Sequence, residues 1–129
     1  MNRWILDASA LLTLLNQELG SAVVAEALER DECCISTVNI AEVVTWLAQK
    51  SVPEAEARYV LRKLNLATVE FGFDAACRCG ALRPATQALG LSLGDRACLA
   101  TAQPEKIPVL TADRAWANLD LGLDIHIIR

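Results

Sequence analysis

Short apolar runs alternate with longer segments of helical periodicity along the whole chain, and this alternation restricts the possible folds more than any other feature. Runs over 3–6, 33–36, 67–71, 107–111 and 124–128 read as strands. Between them, segments over 8–16, 21–30, 38–50, 53–64, 73–89, 92–102 and 113–119 carry helical spacing. In the first helix Ala8, Leu11, Leu12 and Leu15 fall on one face, and in the third Ile40, Val43, Val44 and Leu47 do so. Gly20 and Gly90 stop helices, Pro84 breaks one, and Pro53 sits at a first-turn position. Strands separated by helices imply a parallel sheet covered on both faces. The expectation is an α/β sandwich of three layers, with a central, mainly parallel sheet flanked by helices. With 129 residues and no linker, repeat or low-complexity stretch, the chain reads as a single domain over 1–129.

Composition narrows the setting. A hydrophobic fraction of 53% excludes disorder and leaves apolar residues over for a partner surface. No apolar run approaches the roughly 20 residues needed to span a bilayer. The first carboxylate, Asp7, comes too early for a secretory leader. Five cysteines are an odd number and read as buried thiols in a reducing compartment, so the expected location is cytoplasmic. Cys77-x-Cys79 and Cys33-Cys34 lack the spacing of a zinc site.

Four acids stand where a parallel sheet places chemistry. Ligands bind at the carboxyl ends of such strands. Asp7 directly follows the first strand, and Asp113 follows the fourth just before a helix. Each is either an N-cap or a site acid. Asp95 shares its helix face with Cys98, Leu99 and Ala102. Burying that charge costs several kcal/mol unless helix-terminal amides or a cation compensate. Ser92-x-x-Asp95 resembles a capping box. Glu42 lies opposite its helix's main stripe, between Val38 and Trp46 one turn away on each side. It is either solvated or the wall of a cleft. Taken together, clustered carboxylates repel and raise each other's pKa. A hard divalent cation relieves that conflict, and oxygen-only ligation favours Mg2+ or Mn2+ over zinc. The lone His126 reads as an edge-strand residue, which disfavours a His-based metal site or a hydrolase triad.

The stretches that hold these acids are Ile5-Leu6-Asp7-Ala8-Ser9-Ala10, Ser36-Thr37-Val38-Asn39-Ile40-Ala41-Glu42-Val43, Leu91-Ser92-Leu93-Gly94-Asp95-Arg96-Ala97-Cys98-Leu99-Ala100 and Val109-Leu110-Thr111-Ala112-Asp113-Arg114-Ala115-Trp116. In type, order and spacing they resemble PIN domains, specifically the VapC-type toxin ribonucleases of bacterial toxin–antitoxin pairs. The resemblance covers essentially the whole chain and implies a PIN-like fold. It further implies an acidic pocket that binds Mg2+ or Mn2+ and hydrolyses single-stranded or looped RNA. Asp7, Glu42, Asp95 and Asp113 fall on the family's catalytic acids. Asp7 and Asp95 are the expected direct metal ligands, with Asp113 and Glu42 completing the set directly or through water. Ser9, Asn39 and Thr111 fall on polar positions that line or brace the pocket. The resemblance also implies a homodimer, larger toxin–antitoxin assemblies, and a cognate antitoxin that puts a basic side chain into the acidic site. Only Gln103-Pro104-Glu105-Lys106 is unusual, and it should alter only a loop.

A net charge of −4 opposes a nucleic-acid partner. Setting the four pocket acids aside from the 16 acidic residues leaves 12, balanced by 12 basic ones. Arg96 and Arg114, each following a pocket acid, and Arg83 are the expected RNA-phosphate contacts, against a reading as ordinary surface pairs. The 53–64 segment, with Arg58, Arg62 and Lys63 beside Tyr59 and Val60, is expected to help grip the antitoxin. Metal-assisted hydrolysis would leave a 5′-phosphate and a 3′-hydroxyl. A receiver module would need an acceptor Asp ending the third strand, which instead ends Glu70-Phe71-Gly72. An Asp-x-Asp phosphatase fails because residue 9 is Ser, and no Gly-rich phosphate loop is present. The alternative is a catalytically silent PIN-like protein that only binds a partner.

Overall fold

The structure is a computed structural model that describes residues 2–129; Met1, counted in the single domain expected over 1–129, lies outside the described residues. Among the described residues there are five strands: β1 (Arg3–Leu6), β2 (Glu32–Ser36), β3 (Ala67–Val69), β4 (Val109–Thr111) and β5 (Ile125–Ile127). They form one sheet in the order β3-β2-β1-β4-β5, and every pairing is parallel. Seven α-helices accompany them: α1 (Ala8–Leu15), α2 (Ser21–Arg30), α3 (Thr37–Gln49), α4 (Glu54–Arg62), α5 (Phe73–Ala81), α6 (Arg83–Thr86) and α7 (Leu93–Ala102).

Strand alternation creates two cores. Ile5, Cys34 and Val109 point into one, with Cys79, Cys98, Leu99 and Trp116. Leu6, Ile35 and Leu110 point into the other, with Leu11, Val24, Leu28 and Val43. The registers Ile5↔Cys34, Ile5↔Val109 and Leu6↔Leu110 keep each set in line across the sheet. Helices on both faces therefore give the expected three-layer sandwich. Successive strands run outward from β1 in one direction and then, from β4, in the other. The carboxyl ends of β1 and β4 thus flank the point where the connections diverge, the usual ligand crevice of such sheets.

The 73–89 segment is broken before Pro84 and ends at Gly90, as the sequence led one to expect. It yields α5, the short α6 and a 3₁₀ turn over Gln87–Leu89, because Pro84 has no amide to continue the ladder. Several other boundaries differ from the sequence reading. Pro53 is the N-cap of α4 rather than its first turn, with extended backbone. The 113–119 segment is a 3₁₀ turn over Arg114–Asn118 rather than an α-helix. β3, β4 and β5 shrink to three residues each, and β3 and β5 are the edge strands. Four cysteines are buried but Cys77 is exposed, and all five are free. His126 lies exposed on edge strand β5, beside Asp124 at 3.0 Å.

Candidate functional site

Asp7 caps α1 at the exit of β1, and its carboxylate is only 3% exposed. Local chain geometry puts it there: the strand ends inside the molecule and the helix begins at the next residue. Three protein groups donate to it. Ala10 N–H reaches Oδ1 at 2.8 Å, Ser9 Oγ reaches Oδ1 at 2.7 Å, and Thr111 Oγ1 reaches Oδ2 at 2.6 Å. The hydroxyls are oriented from behind. Ser9 Oγ accepts from Ala112 N–H at 2.9 Å, and Thr111 Oγ1 accepts from Asp113 N–H at 3.1 Å. Their protons are thereby directed at Asp7. The backbone after β4 is thus tied to the carboxylate after β1.

Burial nevertheless dominates, pushing the Asp7 carboxyl up to about 6. The three donors pull it down and the charge of Asp95 pushes it further up. Beneath the acids lies Cys98, fully buried, whose thiol is raised well above its ordinary value. Burial is the main cause, and the charges of Asp7, Asp95 and Glu42 all add to it. The charges of Asp7, Asp95 and Glu42 thus all bear on the same buried thiol.

Asp95 is half-buried rather than turned fully inward with Cys98 and Leu99. It sits in the first turn of α7, where its Oδ2 accepts from Ser92 N–H at 2.9 Å and Ser92 Oγ accepts from Asp95 N–H at 3.2 Å. This is a complete capping box, so helix-terminal amides supply part of the compensation for its charge. Asp113 caps the 3₁₀ turn after β4, its Oδ1 accepting from Ala115 N–H at 3.0 Å, and is exposed. Asp7 and Asp113 each cap a helical segment, and they stand at the carboxyl ends of β1 and β4.

Glu42 is half-buried and reaches from α3 to α7. Its Oε1 accepts from Asn39 Nδ2 at 2.8 Å, and the same nitrogen donates to Gly94 O at 3.0 Å. The Glu42 carboxylate rests directly on Gly94, the residue before Asp95. The solvated-glutamate reading is thus set aside. Gly94 escaped the sequence reading. Its only signal is a glycine inside the first turn of a helix, where alanine would favour the helix.

Of the three arginines expected to meet phosphate, Arg96 is a correction. It is 8% exposed, and its Nη1 donates to Cys79 O at 3.0 Å, so the side chain ties α7 to α5. Arg114 is exposed, its Nε donating to Arg129 O at 3.2 Å, and Arg83 is exposed on α6.

Among the described residues no ion pair involves Asp7, Glu42, Asp95 or Asp113. A buried carboxylate among further carboxylates, with no basic side chain to neutralise them, suits a cation held by oxygen atoms. Among the described residues no three acidic, His or Cys side chains stand in a ligating arrangement, and each of the four carboxylates accepts a hydrogen bond from a nearby donor. The donor chemistry, oxygen atoms of carboxylates, fits a hard divalent ion.

A separate groove of about 700 Å³ lies between α3 and α4, lined by Ile40, Ala41, Val44, Arg58, Leu61 and Arg62. α3 therefore presents Asn39 and Glu42 to α7 and a different, more apolar face to the groove.

Comparison with known proteins places this geometry. The family model for the PIN domain matches residues 4–121. DNA-bound VapBC from Salmonella typhimurium is 20% identical with a TM-score of 0.73, each chain covered over its full 100%. A toxin–antitoxin complex from Klebsiella pneumoniae is 26% identical with a TM-score of 0.71, covering 97% of both chains. VapC20 of Mycobacterium tuberculosis, described as a sarcin-ricin loop cleaving toxin, is 14% identical with a TM-score of 0.72, over 91% of this chain and 96% of that one. No curated protein sequence matches significantly.

Proposed function

Because the chain belongs to the PIN domain family, we propose that it is a metal-dependent endoribonuclease toxin, hydrolysing single-stranded or looped RNA and held silent by a cognate antitoxin. The observation that carries this reading is Asp7. It is a nearly fully buried carboxylate fixed by Ser9, Thr111 and Ala10 at the β1/β4 crevice, while the Glu42 carboxylate rests on Gly94 next to Asp95 and, among the described residues, no ion pair involves any of these acids. A structural N-cap needs one amide bond and gains nothing from further acids nearby.

Asp7 and Asp95 would hold Mg2+ or Mn2+, with Asp113 and Glu42 completing the set directly or through water. Such an ion lowers the pKa of water and neutralises charge on the phosphoryl oxygens. The chain's own residues do the rest. Ser9 and Thr111 favour the ionised form of Asp7 and fix its orientation through the backbone amides of residues 112 and 113. Asn39 holds Glu42 at the first turn of α7. Arg114 and Arg83, both exposed, are available to RNA phosphates.

The antitoxin follows from similarity to toxin–antitoxin complexes such as that of Klebsiella pneumoniae. The groove between α3 and α4, apolar with Arg58 and Arg62 at its edge, suits a peptide segment of such a partner. A homodimer and larger assemblies with the antitoxin belong to the same reading. Five free thiols fit the reducing cytoplasm, and no helix is long and apolar enough to cross a membrane among the described residues.

Expression in bacterial cells tests the proposal. The wild type should arrest growth and generate new RNA ends, and Asp7→Asn should do neither. If both proteins are equally harmless and no RNA is cut, the nuclease reading fails.

A further inference from the structure

We infer that Gly94 and Asn39 are positioning residues for Glu42: together they seat its carboxylate on the first turn of α7 and thereby set its place relative to Asp95. The inference deepens the proposed function and rests on it for the metal that these acids would share. All three atoms of the Glu42 carboxylate lie inside 3.0 Å of where a Cβ on residue 94 would stand. No side chain larger than glycine leaves that seat open. Asn39 supplies the second half of the clasp. Its Nδ2 donates both to Glu42 Oε1 and to Gly94 O, at 2.8 and 3.0 Å.

Both of those partners are acceptors, so chemistry fixes the amide with its nitrogen towards them. The consequence is a buried Oδ1 with no hydrogen-bond partner. Asn39 is 1% exposed, so that oxygen is shielded from bulk solvent. An apolar side chain of similar size would spare that oxygen but would leave Glu42 Oε1 and Gly94 O without this donor, so burial alone does not explain an asparagine here. A link from α3 to the α7 backbone through Glu42 does explain it. Gly94 is likewise unfavourable as a helix residue and is explained by the carboxylate above it.

Mn2+ affinity, measured by titration calorimetry on the full-length chain, tests the clasp in two backgrounds. In the presence of Glu42, Gly94→Ala should weaken Mn2+ binding about tenfold or more, as for other residues that orient metal ligands, and Asn39→Leu should do likewise. In a Glu42→Ala background neither change should weaken it further. Equal losses in both backgrounds would overturn the inference. Melting temperature without metal gives an independent readout. Gly94→Ala should lower it when Glu42 is present and raise it when Glu42 is Ala, because alanine then favours the helix with nothing above it. If the wild type binds no Mn2+, the proposed function falls and this reversal of sign alone decides the clasp. Reversal supports it, and a change of the same sign in both backgrounds overturns it.

Discussion

Asp7 is held by donors that favour its ionised form, yet burial wins and its carboxyl rises to about 6. The unfolded chain would release that proton near the ordinary 3.8. Between these values the folded state holds more protons than the unfolded one, so without metal the contribution of Asp7 to stability falls as pH rises. Asp7→Asn removes the effect. In urea unfolding without metal, the stability of the variant relative to wild type should therefore climb by about 2 to 3 kcal/mol between pH 4 and pH 7.5. A flat difference would show that Asp7 is not raised. At this scale the acids at strand ends were legible because their placement depends only on neighbouring residues. The seat on Gly94 was not, since it needs α3 and α7 brought together over a separation of 52 positions between Glu42 and Gly94. Arg96 was misread for a related reason: adjacency to a site acid says nothing about which way the next side chain on a helix points.

At the level of elements, the capping box of α7 was readable as Ser92-x-x-Asp95 and is formed as expected. Ser92→Ala should cost about 1 kcal/mol of stability by chemical denaturation. The 3₁₀ turn after β4 depends on Trp116, fully buried beneath the sheet with its Nε1 lacking a partner. Trp116→Ala should destabilise by about 3–5 kcal/mol. Trp116→Phe should cost far less, because the apolar area it loses is offset by about 1–3 kcal/mol from removing an unbonded buried N–H. Element types along the chain were largely visible from periodicity. Their ends were less so, because edge strands and 3₁₀ turns are settled by pairing and packing that a local pattern does not contain.

For the whole molecule, alternation of strands and helices was sufficient to expect a parallel three-layer fold. The strand order was not legible, since pairing β1 with β4 across about a hundred residues is a long-range outcome. That order is what creates the crevice. The net charge of −4 is concentrated in meaning at the same place, because the four acids account for the excess. Filling the pocket should therefore change the molecule's response to RNA and to heat together. Added Mn2+ should stabilise the fold by about 2.7 kcal/mol at a hundredfold excess over its dissociation constant, read as a concentration-dependent rise in melting temperature. RNA affinity should be modest and should fall with added salt, with a shallow slope set by a few phosphate contacts.

The most direct test of the central claim is the chemistry of the RNA ends produced by the purified protein with Mn2+. Hydrolysis at the Asp7, Glu42, Asp95 and Asp113 cluster should leave 5′-phosphate and 3′-hydroxyl termini, and Asp7→Asn should leave the RNA intact. A 2′,3′-cyclic phosphate, or equal cleavage by Asp7→Asn, would contradict it.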